Sequence, residues 1–328
     1  MSKYAVIGSN SFSGASFVKH LCKNGHQVLG VSRSVQLHPV FLAYAGQTKS
    51  NFSFHQLDLN HDITEICTHL GDFRPDYIVN FAAQGMVAQS WENPGDWFQT
   101  NTVATIKLHD ELRKFDWLKR YVHISTPEVY GNCEGLVRED FPFNPSTPYA
   151  VSRAAADWSL QSFIKAYNFP VVFTRAANVF GEHQQLYRII PRTLLYFLSD
   201  KQIQLHGGGT SVRSFIHIDD VCIGTQRAAE LGNIGEVFHF ATEQNISIRS
   251  LVELIARRLQ ISFDDHVEVV GERLGKDAAY LLDCSLAKKR LNWKAELSLE
   301  EGLDRTSQWV SDNLDELLNQ PHDYVHKA

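Results

Sequence analysis

The chain has 328 residues, 44% of them hydrophobic, enough to bury a full core as one large domain or two coupled ones. A formal net charge of -6 and a pI near 6.2, with no long basic run, exclude a nucleic-acid binder that works by neutralising phosphates. No apolar stretch approaches the roughly 18 residues of a membrane helix, so no membrane partner is expected. The sequence passes straight from Met1 into a strand, so no leader is expected and the compartment reads as cytoplasmic. Cys22, Cys67, Cys133, Cys222 and Cys284 lack C-x-x-C spacing and read as reduced thiols. No metal site is expected from the histidines.

Tyr4-Ala-Val-Ile-Gly8 reads as a strand, and the turn Gly8 to Gly14 leads into a helix from Ala15 to about Asn24. Gly8 and Gly14 hold the outer places of a G-x-x-G-x-x-G loop, with Ser11 in the middle one. Glycine lets the backbone approach a pyrophosphate, which then sits on free N–H groups at the helix start. The loop Gly8, Asn10, Ser11, Phe12, Ser13, Gly14 is therefore expected to hold a dinucleotide; the alternative is a plain strand-to-helix turn. A second strand, residues 26–31, ends in Ser32-Arg33-Ser34. An acid at this place accepts the ribose 2′-OH of NAD, and none is present. Ser32 and Arg33 suit a 2′-phosphate, so NADP is expected over NAD, with a solvated arginine as the alternative.

A third strand, Phe52–Leu57, closes on Asp58-Leu59, residues 61–70 read as a helix, and Tyr77–Ala83 as a fourth strand. Residues 95–115 and 149–167 are amphipathic helices. Between them the apolar run Tyr121–Ile124 reads as a buried strand, and polar residues start where it ends: Ser125, Thr126 and Glu128. Strand carboxyl ends are where open α/β sheets bind ligands, so these residues should face a cleft. Pro148 leads into the next helix, where a spacing of four sets Tyr149 and Arg153 on one face. A cation beside a phenol favours phenolate, so Tyr149 is expected to have a lowered pKa and act as a base. A further buried strand spans Pro170–Arg175, a short strand and capped helix follow over residues 246–259, and residues 302–328 are expected to pack loosely.

Thr126-x-Glu128 followed by Tyr149-x-x-x-Arg153 resembles the Ser/Thr…Tyr-x-x-x-Lys core of the extended short-chain dehydrogenase/reductase family. Val129-Tyr130-Gly131 narrows the likeness to its nucleotide-sugar dehydratase and epimerase branch, over about residues 3–310. The resemblance implies an α/β fold, a Rossmann-type doubly wound parallel sheet with a smaller C-terminal α/β substrate domain. Residues 1–178 would form the NAD(P)-binding part, with about 213–240 returning to it, and residues 179–328 mainly the nucleotide-sugar part.

In such enzymes Asp58 and Leu59 lie beside the adenine, and Phe81-Ala82-Ala83 forms the loop over the cofactor. Gln84 stands near substrate, and Asn101 braces the active-site strand. Arg175-x-x-Asn178-x-Phe180-Gly181 resembles the signature that turns the chain toward the substrate domain, so Asn178 would bind the pyrophosphate. Arg213 would hold phosphate, with Arg188 and Arg192 as further guanidinium forks or surface charge. The strand Gln204 to His206 would meet the base, and the segment with Arg273 and Asp277 would close over the nucleotide. The paired helices imply a homodimer.

Oxidation of a nucleotide sugar at C4 needs a phenolate, a clamp on the hydroxyl and a nicotinamide, which Tyr149, Thr126 and NAD(P) would supply. The C4 ketone acidifies the C5 proton, and Glu128 is placed to take it. Catalytic roles thus fall on Thr126, Glu128, Tyr149 and Arg153, and the expected activity is a 4,6-dehydratase acting on a GDP- or dTDP-hexose in glycan biosynthesis. The alternatives are a 4-epimerase, a UDP-glucuronate decarboxylase, or a silent NADP-binding protein. Two residues depart from the family pattern: Arg153 stands for lysine, and Pro127 stands where the dTDP-glucose enzymes carry an aspartate.

Overall fold

The computed structural model describes residues 1–46, 51–133, 135–271 and 281–327. Strands β1 (Lys3–Ile7), β2 (Gln27–Ser32), β3 (Phe52–Gln56), β4 (Tyr77–Asn80) and β5 (Arg120–Ile124) come first. Helices α1 (Phe12–Lys23), α2 (Ile63–Phe73), α3 (Pro94–Phe98) and α4 (Thr105–Leu112) lie between them. The chain continues through β6 (Leu136–Val137), α5 (Pro148–Tyr167), β7 (Val171–Ala176), β8 (Asn178–Phe180), α6 (Ile189–Leu198), β9 (Ile203–His206) and β10 (Val212–His217). Then come α7 (Ile218–Leu231), β11 (Val237–Phe240), β12 (Asn245–Ser247), α8 (Ile248–Leu259), α9 (Phe263–His266), β13 (Val267–Val270) and β14 (Leu281–Leu282). Helices α10 (Ser285–Leu291), α11 (Leu299–Asp312) and α12 (Leu314–Leu318) follow.

Seven strands form one parallel sheet in the order β11-β7-β5-β4-β1-β2-β3. Period-two alternation explains why it is covered on both faces. Tyr4 and Val6 of β1 pack with Phe17, Val18 and Leu21 of α1 and with Val221 and Ala228 of α7. Ala5 and Ile7 point the other way, into Ile66 and Leu70 of α2 and Leu108 and Leu112 of α4. This is the doubly wound α/β arrangement expected. The strand order reverses at β1, which pairs with both β2 and β4. The loops leaving β1 and β4 meet at that reversal, where Gly8 N–H donates to Val31 (2.7 Å) and Phe81 N–H to Ile7 (2.8 Å). Ligand crevices form at such switch points.

A second apolar cluster joins α6, α8, α11 and α12 through Leu194, Leu195, Leu251, Ile255, Leu303, Val310 and Leu317. Beside it lie the β8-β10-β12 sheet and the β9–β13 pair. Two sequence expectations change here. The helix over residues 95–115 contains a π-helical segment, Gln99–Ala104, between α3 and α4. Residues 302–328 do not pack loosely throughout: Leu299, Leu303, Thr306 and Val310 form one buried face of α11. The i, i+4, i+7 spacing of that face is the reason.

Candidate active site

The loops at the carboxyl ends of β1, β2, β4, β5 and β7, with α6, β9 and β10, enclose a cleft of about 1530 Å³. Pockets for one small ligand occupy about 300–1,000 Å³, so this volume has room for a dinucleotide and a second nucleotide together.

Gly8 adopts φ +83°, and a Cβ there would come within 2.6 Å of the Ala82 nitrogen. A Cβ on Gly14 would lie 2.1 Å from the Gly8 carbonyl. Both positions therefore demand glycine. Ser11 caps α1: its hydroxyl accepts from Gly14 N–H (3.0 Å) and donates to the Gly8 carbonyl (2.7 Å). The remaining first-turn N–H groups of α1 lack intrahelical partners, which fits a pyrophosphate. Ser11, Phe12 and Ser13 line the cleft; Gly14 lies beneath the loop rather than on the wall. Asn10 also lines it, but its amide donates to the Ser34 (2.9 Å) and Val35 (3.0 Å) carbonyls and accepts from Tyr44 (3.0 Å). That side chain holds the β2 loop in place. Ser32 accepts from Asn10 N–H (2.9 Å), while Asp58, Leu59, Phe81, Ala82 and Ala83 line the same half of the cleft.

Asn101 is fully buried in the π-helical segment. Its carbonyl oxygen accepts from Gln84 N–H (2.8 Å), and its amide donates to the Gln84 carbonyl and the Ser152 hydroxyl (both 3.0 Å). The widened turn thus ties the loop after β4 to α5, leaving the Gln84 side chain turned into the cleft.

At the end of β5, Thr126 caps a short 3-10 turn, Pro127–Tyr130, by accepting from Glu128 N–H (3.3 Å). Pro127 occupies the first position of that turn, which needs no N–H donor. Thr147 caps α5 in the same way, accepting from Ala150 N–H (3.1 Å), and sets Tyr149 and Arg153 one turn apart. Tyr149, Thr126, Glu128 and Arg153 all line the cleft. The phenol has Thr126 and Arg153 beside it, yet its pKa is raised, contrary to the expectation from spacing. Burial and the nearby Glu128 charge push it up and outweigh the pull of Arg153, Thr126 and Arg188. Arg153 is 3% exposed and donates to the Ile124 carbonyl, so part of its fork is taken up by the strand backbone.

Ser125 lines the cleft as expected, but its hydroxyl is engaged away from it. Its hydroxyl donates to Asp157 (2.7 Å), which also takes Arg175 (2.8 Å) and faces His123 (3.3 Å); Asp157, Arg175 and His123 are buried. Burial would raise the Asp157 pKa; His123, Arg175 and Ser125 hold it well below the usual carboxylate range. Burial keeps His123 itself neutral, so Arg175 carries the ion pair. Arg175 also donates to the Tyr130 hydroxyl. Sequence reading passed over Asp157, whose only signal was a carboxylate four residues after Arg153 on the buried face of α5.

On the opposite wall stand Asn178, Arg188, Arg192, Gln204, His206 and Arg213. Gln204 and His206 alternate with buried Ile203 and Leu205 along β9, so both face the cleft. Arg273 and Asp277 lie outside the described residues. Sequence reading also missed residues 320–327, which cross the cleft mouth, and the His322-x-x-x-His326 spacing within them. Those two imidazoles pack on different walls, against Tyr196 and Trp97, and do not converge. Among the described residues, no group of three His, Cys, Asp or Glu side chains could hold a metal ion, and no helix is long and apolar enough to cross a membrane.

The model of the GDP-mannose 4,6 dehydratase family matches residues 6–306. The chain belongs to that family. Within the GDP-mannose 4,6-dehydratase family it is 34% identical over 239 residues to a dTDP-glucose 4,6-dehydratase of Streptomyces antibioticus, covering 73% of this chain and 71% of that protein. It is 31% identical to a low-salt glycan biosynthesis protein of Haloferax volcanii, covering 91% and 95%. A crystal structure of the dTDP-glucose 4,6-dehydratase of Streptomyces venezuelae with NAD bound superposes with a TM-score of 0.88 at 28% identity, over 96% of this chain and 98% of that one. The UDP-glucuronic acid 4-epimerase of Bacillus cereus, solved with UDP-glucuronic acid and NAD, gives 0.86 at 26% identity, over 94% and 99%.

Proposed function

We propose that this chain is a nicotinamide-dependent nucleotide-sugar 4,6-dehydratase acting on a GDP- or dTDP-hexose. The observation that carries the reading is Glu128 standing close enough to Tyr149 for its charge to raise the phenol's pKa. Oxidation and re-reduction at C4 alone need no carboxylate at that place; removal of the C5 proton does. The Gly8–Gly14 loop would hold the dinucleotide, which when bound would supply the acceptor for the C4 hydride and its donor to C6. Tyr149 takes the C4 hydroxyl proton, and Thr126 orients that hydroxyl. Arg153 pulls the phenol's pKa down, and a positively charged nicotinamide ring bound beside it would act in the same direction. Glu128 takes the C5 proton and returns it to the departing C6 hydroxyl as water, because Pro127 has no proton to give. Glu128, reprotonated from solvent, would then give a proton to C5, and Tyr149 would release its proton to solvent, which closes the balance.

Substrate would lie against Gln84, Asn178, Arg188, Arg192, Gln204, His206 and Arg213, with residues 1–178 and 213–240 forming the cofactor part and residues 179–328 mainly the sugar-nucleotide part. The solved neighbours carry NAD; the Ser32-Arg33-Ser34 end of β2, with no acid, supports NADP here, and comparing the two dissociation constants decides between them. A homodimer in the cytoplasm completes the proposal, with analytical ultracentrifugation as its check.

Pro127 favours one second reading, a 4-epimerase like the Bacillus cereus neighbour, which needs no proton for a leaving group. Mass spectrometry of products from GDP-, dTDP-, UDP- and CDP-sugars tests both. Loss of one water is expected. Unchanged mass with a new sugar epimer, loss of carbon dioxide, or binding without turnover would each replace the dehydratase reading.

A further inference from the structure

Beyond α12 the chain turns at Asn319-Gln320 and crosses the cleft outside any helix or strand. Its burial alternates with period two: His322, Tyr324 and His326 are half-buried, whereas Pro321, Asp323, Val325 and Lys327 are exposed. The alternation sets three rings, of His322, Tyr324 and His326, on the covered side. Each meets an aromatic wall: His322 on Tyr196 (5.8 Å between centroids), Tyr324 on Tyr187 (5.4 Å) and His326 on Trp97 (5.0 Å). Tyr196 and Tyr187 belong to the α6 side and Trp97 to α3, so the segment spans the mouth from one wall to the other. His326 Nε2 lies 2.7 Å from Asp96 Oδ2 at the far end.

The polar contacts made on the way fall on groups assigned above to ligands. Arg192 donates to Asp323 Oδ1 (2.7 Å) and to the His322 carbonyl. The Lys327 carbonyl accepts from Gln84 Nε2 (2.6 Å) and from Arg33 (3.0 Å). A carboxylate and main-chain carbonyls on guanidinium and amide groups present the same acceptor oxygens that a diphosphate and a ribose would bring. Both cannot occupy those donors at once. The hold is light: no residue of 320–327 is fully buried, and the Asp323 side chain is 88% exposed.

We propose that residues 320–327 are a displaceable strap, which competes with the nucleotide diphosphate for Arg192 and with the cofactor for Arg33. The proposal rests on the reading of Arg33, Gln84 and Arg192 as ligand-binding groups. A strap seated for about nine-tenths of the time raises an apparent Kd about tenfold. Deleting residues 320–328 is therefore expected to tighten dTDP or GDP binding by about tenfold in titration calorimetry, and to tighten NADPH or NADH binding in the same direction. Asp323→Asn is expected to tighten the diphosphate about threefold and leave the dinucleotide unchanged. In the full chain, saturating diphosphate should speed carboxypeptidase trimming of the segment. Equal or weaker diphosphate binding after deletion, or slower trimming with diphosphate, overturns the strap. Arg192→Ala in the shortened chain separates the two ideas: lost diphosphate affinity with no gain from deletion sinks the strap alone, and unchanged affinity sinks the site reading beneath it.

Discussion

Glu128 acts on Tyr149 through its charge, and this sets how the phenol should respond to change. Glu128→Gln removes the proton acceptor while keeping shape; dehydration is expected to fall by about 10²–10⁴-fold while C4 oxidation survives, seen as cofactor reduction without loss of water from the sugar. Arg153 pulls the Tyr149 pKa down against burial and Glu128. A base must be deprotonated to act, so kcat/KM rises with pH through that pKa. Arg153→Met takes the pull away, and the rising limb is expected to move to higher pH, whereas Arg153→Lys keeps the charge and the limb. A pH–rate profile with an unmoved limb in Arg153→Met would separate the arginine from the phenol. The roles of Thr126, Glu128 and Tyr149 could be framed from sequence because each follows directly from a strand or helix end. The raised phenol pKa could not, because it depends on how deeply a wall covers the ring.

At the scale of elements, the strand-turn-helix at β1–α1 and six of the seven sheet strands were legible because apolar alternation and glycine requirements are local; β11 (Val237–Phe240) was passed over. Gly14→Ala would drive a Cβ to 2.1 Å from the Gly8 carbonyl, so the loop must open; dinucleotide binding is expected to be lost and the melting temperature to drop. Partners supplied by distant elements were not legible. Ser125 turns to Asp157 on α5, Arg153 to the Ile124 carbonyl on β5, and neither pairing leaves a spacing signature. Removing one member of such a buried pair strands the other, so Asp157→Ala is expected to cost about 3–5 kcal/mol in urea unfolding. Glu182 offers a pH test of the same physics. Burial would raise its pKa, but His217 (2.9 Å) and Arg305 (2.9 Å) hold it at about 2. A lowered carboxylate pKa contributes stability above the unfolded value of about 4.3, and that contribution fades as pH falls toward the folded one. Urea midpoints of the wild type should therefore approach those of Glu182→Gln between about pH 4 and 2.

For the whole molecule, one cleft is walled by residues from β1 to the segment after α12, so ligand binding and folding are linked. A nucleoside diphosphate at about 100 times its Kd should add about 2.7 kcal/mol to stability, read as a higher melting temperature in a thermal-shift assay, and a silent shift profile would mean that the cleft does not take it. The same architecture has a consequence for synthesis. All seven sheet strands are present once residue 240 has been made, yet Phe240 packs on Trp293 (4.7 Å). Asp220 at the start of α7 is answered by the Glu296 and Leu297 N–H groups (3.1 Å each). A nascent chain of 240 residues therefore holds a complete sheet with α1 and α7 on one face, yet the corner at Phe240 and Asp220 stays open to chaperones or to neighbouring chains until some sixty more residues leave the ribosome.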